Sequence, residues 1–176
     1  VAIDGSDATK ALRAAHAGFW LSPQTFSVGV IGPGNVGAAL LEQLYASEAS
    51  LLAKAKLDLR LRAVTSRNRM VLDQRGIHGN WKAAFENASL PSDLDQFTDH
   101  LLSARLPHTL IIDCSGSAEV ADRYAGWLAA GIHVVTPNKQ AGSGPLARYQ
   151  AIREAAAATG ARFRYEATVG AGLQIG

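Results

Sequence analysis

Apolar and polar positions change period repeatedly along the chain, and each change marks a predicted element. Phe26-Ser27-Val28-Gly29-Val30-Ile31 is a short β-rich run that stops at a glycine-rich turn. Val36, Ala39, Leu40 and Leu44 then recur at helical spacing, which predicts a helix over 35–47. Between Leu57 and Thr65, Leu59, Leu61 and Ala63 alternate with Asp58, Arg60 and Arg62, the period of a second strand. A short helix over 81–87 and a longer one over 94–104 follow, the latter ending before Pro107. Thr109-Leu110-Ile111-Ile112-Asp113 is a continuous apolar run, as expected of a strand covered on both faces. The pattern then predicts a helix over 117–130 closed by Gly131, and a strand over 132–135. An Ala-rich helix over 146–159 closed by Gly160 and a last strand over 162–167 complete it.

Strands alternating with helices imply parallel strands joined by crossover helices. The expected class is α/β, a doubly wound, mostly parallel sheet of Rossmann type. Residues 1–25 fall outside this alternation. Asp7 is placed to cap a helix over 8–18 with Leu12, Ala15, His16 and Phe19 on one stripe, and Ser22-Pro23 ends it. Too short to form a core alone, this piece reads as a linker helix or the tail of a preceding domain. The 26–176 stretch reads as the α/β domain.

Composition narrows the picture further. The chain has 176 residues, 48% hydrophobic and 18% charged, which suits one soluble globular domain and not a disordered chain. A net charge of +2 gives no electrostatic reason to expect nucleic acid or an anionic membrane as partner. Neither a membrane-spanning run nor a basic-then-apolar leader is expected from the sequence. The one cysteine, Cys114, rules out an internal disulfide framework and fits a reducing, cytosolic compartment.

Candidate chemistry begins at Gly32-Pro33-Gly34-Asn35-Val36-Gly37, which matches G-x-G-x-x-G between a strand and a helix. The first glycine permits the turn, the second admits a pyrophosphate and the third lets helix and strand pack closely. Free N–H groups at the helix start receive the anion. The plainer reading is a βα turn that binds nothing. An NAD-selective site usually has an acid at the end of the second strand, to bind the ribose hydroxyls. Here that end reads Val64-Thr65-Ser66-Arg67-Asn68-Arg69, in which Arg67 or Arg69 suits a 2′-phosphate, or forms a solvated turn. NADP is therefore expected to bind at least as well as NAD.

Three further stretches lie at the carboxyl ends of predicted strands, the ligand edge of such a sheet. Ser115 follows Asp113-Cys114 and is a candidate for the nicotinamide-side ribose. Cys114 is either a small buried residue or a thiolate nucleophile, as in acylating aldehyde dehydrogenases. Lys139, in Thr136-Pro137-Asn138-Lys139, is either a cation facing cofactor or substrate, with a possible proton-relay role, or a surface lysine. In Glu166-Ala167-Thr168-Val169-Gly170-Ala171-Gly172-Leu173, two glycines let carbonyls turn inward around a hard cation with Glu166 as counter-charge, or form an ordinary turn. The five histidines are scattered without ligand-like spacing.

Taken in order, the glycine turn running on to Leu41, Ile112-Asp113-Cys114-Ser115, Val134 to Lys139 and Glu166 to Leu173 resemble homoserine dehydrogenase over about residues 26–176. The opening segment from Ala11 to Phe19 resembles the junction after the regulatory region of a fused aspartokinase–homoserine dehydrogenase. The resemblance implies NAD(P)-dependent interconversion of aspartate semialdehyde and homoserine, on the route to threonine and methionine. It implies that Gly32, Gly34, Asn35, Val36 and Gly37 hold the pyrophosphate and Arg67 the adenosine ribose or its phosphate. Ser115 and Lys139 would lie near the nicotinamide, with Lys139 also a candidate for substrate or proton handling. Glu166 by its side chain, and Val169, Ala171 and Leu173 by their carbonyls, would match a monovalent-cation site for sodium. Gln174 stands where the family usually has proline. The family's substrate-binding acids and principal catalytic lysine belong to a further substrate and dimerisation domain. These 176 residues alone are thus expected to bind cofactor without turnover, and the parent enzyme to be a homo-oligomer. The competing readings are an acylating semialdehyde dehydrogenase using Cys114, and a non-catalytic Rossmann nucleotide-binding module.

Overall fold

In the computed structural model, which describes residues 24–165, β1 (Gln24–Ile31) runs into the glycine turn and α1 (Asn35–Ser50). A π-helical turn, Leu51–Ala55, and left-handed Lys56 reverse the chain into β2 (Leu57–Thr65). Then come β3 (Arg69–Leu72), α2 (Trp81–Glu86), β4 (Leu90–Pro91), α3 (Leu94–Ser103) and β5 (His108–Asp113). Two short helices, α4 (Ala118–Asp122) and α5 (Tyr124–Ala129), lead to β6 (His133–Thr136). The described chain closes with α6 (Gln140–Ser143), α7 (Leu146–Thr159) and β7 (Phe163–Tyr165).

The strands form one sheet in the order β4-β3-β2-β1-β5-β6-β7. β2, β1, β5, β6 and β7 are parallel, whereas β3 pairs antiparallel with β2, and β4 with β3. The antiparallel pair is an addition that the sequence pattern did not reveal. Its strands have only four and two residues, too few to display a period.

Both faces are covered, as a parallel sheet requires. On one side Phe97 and Leu101 of α3, Tyr124, Trp127 and Leu128 of α5 and Ile152 of α7 bury Ile111 and Val134. On the other, Leu41 of α1 and Trp81 of α2 bury Val28, Val30, Val64 and Ile112. α3 approaches β1 so closely that a Cβ at Gly29 would lie 2.5 Å from the Phe97 ring.

Two predicted details are corrected, and one residue takes an environment that the pattern did not specify. On α1 the fully buried residues are Gly37 and Leu41; of the predicted stripe Leu40 and Leu44 pack half-buried against the core, while Ala39 is exposed and Val36 is 60% exposed, because the helix turns the Gly37 side onto the glycine turn. The helix predicted over 117–130 is two helices hinged at Arg123, where the N–H bonds back only three residues to Val120. That residue is Arg62 of β2, which is buried. It is 1% exposed and donates to the carbonyls of His100 (2.8 Å), Leu101 (3.1 Å) and Gln74 (3.3 Å) and to the Gln74 side chain (2.8 Å). Two of those carbonyls end α3, where the helix dipole favours a cation. Burial nevertheless pulls its pKa below the usual arginine value, partly offset by Asp73.

Candidate functional site

β1 has β2 on one side and β5 on the other, so the chain reverses its direction of winding between β1 and β5. At such a switch point the loops at the carboxyl ends separate and leave a crevice. A cavity of about 950 Å³ lies there, lined by Gly32, Pro33 and Gly34, by Ser66 and Arg67 after β2, and by Ser115, Gly116 and Ser117 after β5. Asp95 and Arg123 stand on the same lining and pair with each other at 2.6 Å.

The three glycines have separate physical reasons. Gly32 has φ +80°, and a Cβ there would lie 2.8 Å from the Ser115 nitrogen. A Cβ on Gly37 would lie 2.2 Å from the Gly32 carbonyl oxygen, so α1 can start against the turn only without one. Gly34 has nothing within 4 Å of where its Cβ would stand. It gives the cavity an open backbone surface at the N-terminus of a 16-residue helix, suited to a pyrophosphate's charge and bulk. The residues present therefore fit a dinucleotide.

The two candidate arginines separate. Arg67 lines the cavity, whereas Arg69 lies off the lining and donates to the Glu86 carbonyl at 3.1 Å. Asn35, Val36, Gly37 and Lys139 lie off the lining as well. Asn35 and Val36 are the first exposed residues of α1, and Lys139 is exposed at the start of α6. Glu166, Val169, Ala171 and Leu173, like the helix predicted over 8–18, lie outside the described residues.

Cys114 is half-buried, with its N–H bonded to the Ile31 carbonyl at 2.8 Å. Burial and the neighbouring Asp113 carboxylate push its thiol up to about 11. A catalytic thiolate needs the opposite environment, so the geometry goes against a cysteine nucleophile.

Sequence reasoning missed the residues behind the β5 and β6 loops. Asp113 is fully buried and accepts hydrogen bonds from the Ser115 N–H (2.7 Å), the Tyr124 hydroxyl and the Asn138 side-chain amide (3.1 Å). Burial and that carboxylate drive the Tyr124 phenol far above its ordinary value, so it stays a donor. An acid at the end of an apolar strand was the available signal. Its partners lie 11 and 25 residues away, beyond any local spacing rule.

A comparison with known families decides what the crevice belongs to. The family described as homoserine dehydrogenase, NAD binding domain, matches residues 32–166. The chain belongs to this family. A bifunctional aspartokinase/homoserine dehydrogenase 2 of Arabidopsis thaliana, a chloroplastic enzyme, is 41% identical over 99% of the chain. The bifunctional aspartokinase/homoserine dehydrogenase of Haemophilus influenzae is 36% identical over 96% of it. The chain spans about a fifth of these relatives, 19% and 21% of their lengths. Among solved structures, a homoserine dehydrogenase from Thermoplasma acidophilum shares the fold with a TM-score of 0.62 at 20% identity, over 82% of this chain and 44% of that one. Membership in a homoserine dehydrogenase NAD-binding family fits the main expectation. It does not fit an acylating dehydrogenase or a non-catalytic module. No helix among the described residues is long and apolar enough to cross a membrane.

Proposed function

We propose that the chain is the cofactor-binding part of an enzyme that interconverts L-aspartate 4-semialdehyde and L-homoserine with NAD(P)H. The observation that carries this reading is the open Gly34 backbone at the head of α1, inside the switch-point cavity of a chain that belongs to this family. When bound, the nicotinamide supplies or accepts the hydride. The protein's part is to bind and orient. Gly32, Gly34 and the first turn of α1, from Asn35 to Gly37, hold the pyrophosphate, with Gly37 acting by keeping the helix against the turn.

Arg67 takes the adenosine end. With no acid beside it at the end of β2 and a guanidinium on the cavity wall, the site suits a 2′-phosphate, so NADPH binds at least as well as NADH. Ser115 and Lys139, after β5 and β6, take the nicotinamide end, with Lys139 offering a cation to substrate oxygen or a proton. Glu166, with the carbonyls of Val169, Ala171 and Leu173, completes a sodium site. The residues before β1 are the tail of a preceding regulatory region, two fewer than the 1–25 expected because Gln24 and Thr25 already pair with β2, and the cofactor domain runs from β1 onward. The enzyme's substrate acids, principal catalytic lysine and homo-oligomer contacts come from beyond this fifth of the relatives' length, and its compartment is the reducing cytoplasm.

Separate titrations with NADPH and NADH, followed by nicotinamide fluorescence and heat, test the reading. Saturable binding with NADPH at least as tight as NADH supports it. NADH binding about tenfold tighter than NADPH sinks the Arg67 assignment, since a guanidinium–phosphate pair favours the phosphorylated cofactor.

A further inference from the structure

Asp113 is a carboxylate with no exposure to water and no cation among its hydrogen-bond partners in the described structure. Its Oδ1 accepts the Ser115 N–H, and its Oδ2 accepts the Tyr124 hydroxyl and Asn138 Nδ2, while its backbone carbonyl accepts the Thr136 hydroxyl at 2.7 Å. Asn138 carries the link onward. Its Nδ2 also reaches the Ser117 carbonyl at 2.9 Å, its Oδ1 accepts the Gln140 N–H at 3.0 Å, and its own N–H goes to Thr136 Oγ1 at 2.8 Å. One side chain thereby ties the 114–117 loop, on the cavity wall, to the 137–139 loop that carries Lys139.

Stability alone does not explain an acid here. Burying a carboxylate is costly, and an apolar residue of similar volume at a strand end often serves the fold as well. What an apolar residue cannot do is fix two loops in register through directed bonds. We infer that Asp113 is a positioning residue, which sets the 114–117 and 137–139 loops relative to each other so that Ser115 and Lys139 meet the nicotinamide end of the bound dinucleotide. The inference rests on the cofactor reading above.

The donors around Asp113 require a carboxylate rather than an amide. In Asp113→Asn the Oδ1 bond from Ser115 survives, but the new NH₂ faces Asn138 Nδ2, donor against donor. Turning the Asn138 amide over does not repair this. It would set an oxygen against the Ser117 carbonyl and an NH₂ against the Gln140 N–H. The substitution therefore cuts the tie between the loops while keeping the shape of the side chain.

The test uses the full 176-residue chain and two probes, NADPH and 2′-phospho-ADP-ribose. The second carries the adenosine, its phosphate and the pyrophosphate but no nicotinamide. Wild type is expected to bind NADPH more tightly than the shorter probe. Asp113→Asn is expected to weaken NADPH about tenfold and the shorter probe less than about twofold, because only the nicotinamide-side loops come apart. Asn138→Ala cuts the same tie from the other loop and should show the same selective loss, which keeps the test alive if Asp113→Asn does not fold. Equal weakening of both probes, or of neither, by a folded variant overturns the inference and leaves Asp113 a structural residue. Equal wild-type affinity for the two probes overturns it too. Wild type binding neither probe defeats the cofactor reading itself, and the inference with it.

Discussion

The two sides of the switch-point cavity are built by opposite means. On the β1–β2 side the wall is built around exposed backbone: Gly32, Gly34 and a helix N-terminus, with the Arg67 guanidinium beside them and Gly37 behind the lining, so that the shape is set by where side chains are missing. On the β5–β6 side it is held by a buried carboxylate, a phenol, a hydroxyl and an amide, with the shape set by directed hydrogen bonds. An open backbone grips a phosphate by charge and close approach, and tolerates variation elsewhere along the chain. A polar network fixes two loops firmly but depends on every member being satisfied. The first design suits the invariant part of a dinucleotide, the second the end where reacting atoms must be aligned.

If the contrast is right, side-chain removal should hurt the β5–β6 side most. Asp113→Ala leaves the Ser115 N–H, the Tyr124 hydroxyl and the Asn138 amide without their acceptor. Thermal unfolding should show a loss of about 3 kcal/mol. Side-chain addition should hurt the glycine side, and selectively. Gly37→Ala forces a Cβ onto a backbone oxygen and should cost about 1–3 kcal/mol by the same measurement. Gly34→Ala meets only open space and should leave unfolding nearly unchanged while lowering NADPH affinity at least about tenfold. Equal destabilisation by Gly34→Ala and Gly37→Ala would break the comparison.

Smaller effects sharpen it. Arg67→Ala should weaken NADPH about tenfold and NADH less than twofold, read by paired titrations, since only the former loses a charge-assisted contact. Cys114 sits between the two sides and should act in neither. Its thiol, raised to about 11, stays protonated at neutral pH. Alkylation by iodoacetamide should be slow at pH 8 and climb only as the pH nears 11. The sign carries to stability as well. The folded state keeps a proton that the unfolded state gives up near its ordinary value of 9.0, so this contribution is full below pH 9 and fades as pH rises toward 11. Fast labelling at pH 8 would contradict the buried assignment.

The same contrast explains what could be read from the chain. The parallel strands, the glycine turn and the glycine caps at Gly131 and Gly160 follow from local period and backbone freedom. Both caps have the left-handed φ expected of them, +79° and +74°. On the β1–β2 side of the cavity the expected Gly32, Gly34 and Arg67 lie on the lining, while Asn35, Val36 and Gly37 lie off it. On the β5–β6 side, of the two motif residues expected there, Ser115 lies on the lining and Lys139 lies off it. Asp113, Tyr124, Thr136 and Asn138 are ordinary residues until the sheet brings β5 beside β6. Arg62 shows the same limit. Its alternation with Leu61 and Ala63 marks a strand and no more, and only the packing of α3 across β2 makes it a buried anchor. On α1 the stripe was right at Leu40 and Leu44 but wrong at Val36 and Ala39, because Gly37, which lies deepest beside Leu41, contributes nothing to a hydrophobic count.

The central claim is that the dinucleotide lies in the switch-point cavity, and amide-resolved NMR of the chain titrated with NADPH tests it most directly. The structure offers a clear alternative: a second cavity of about 400 Å³ beneath α1, lined by Val28, Leu41, Leu44, Tyr45, Leu61 and Ile77. The account predicts that the largest shifts fall on Gly32, Gly34, Arg67 and Ser115, with Leu44, Tyr45 and Ile77 unmoved. Shifts gathered on Leu44, Tyr45 and Ile77, with the glycine turn silent, would contradict it.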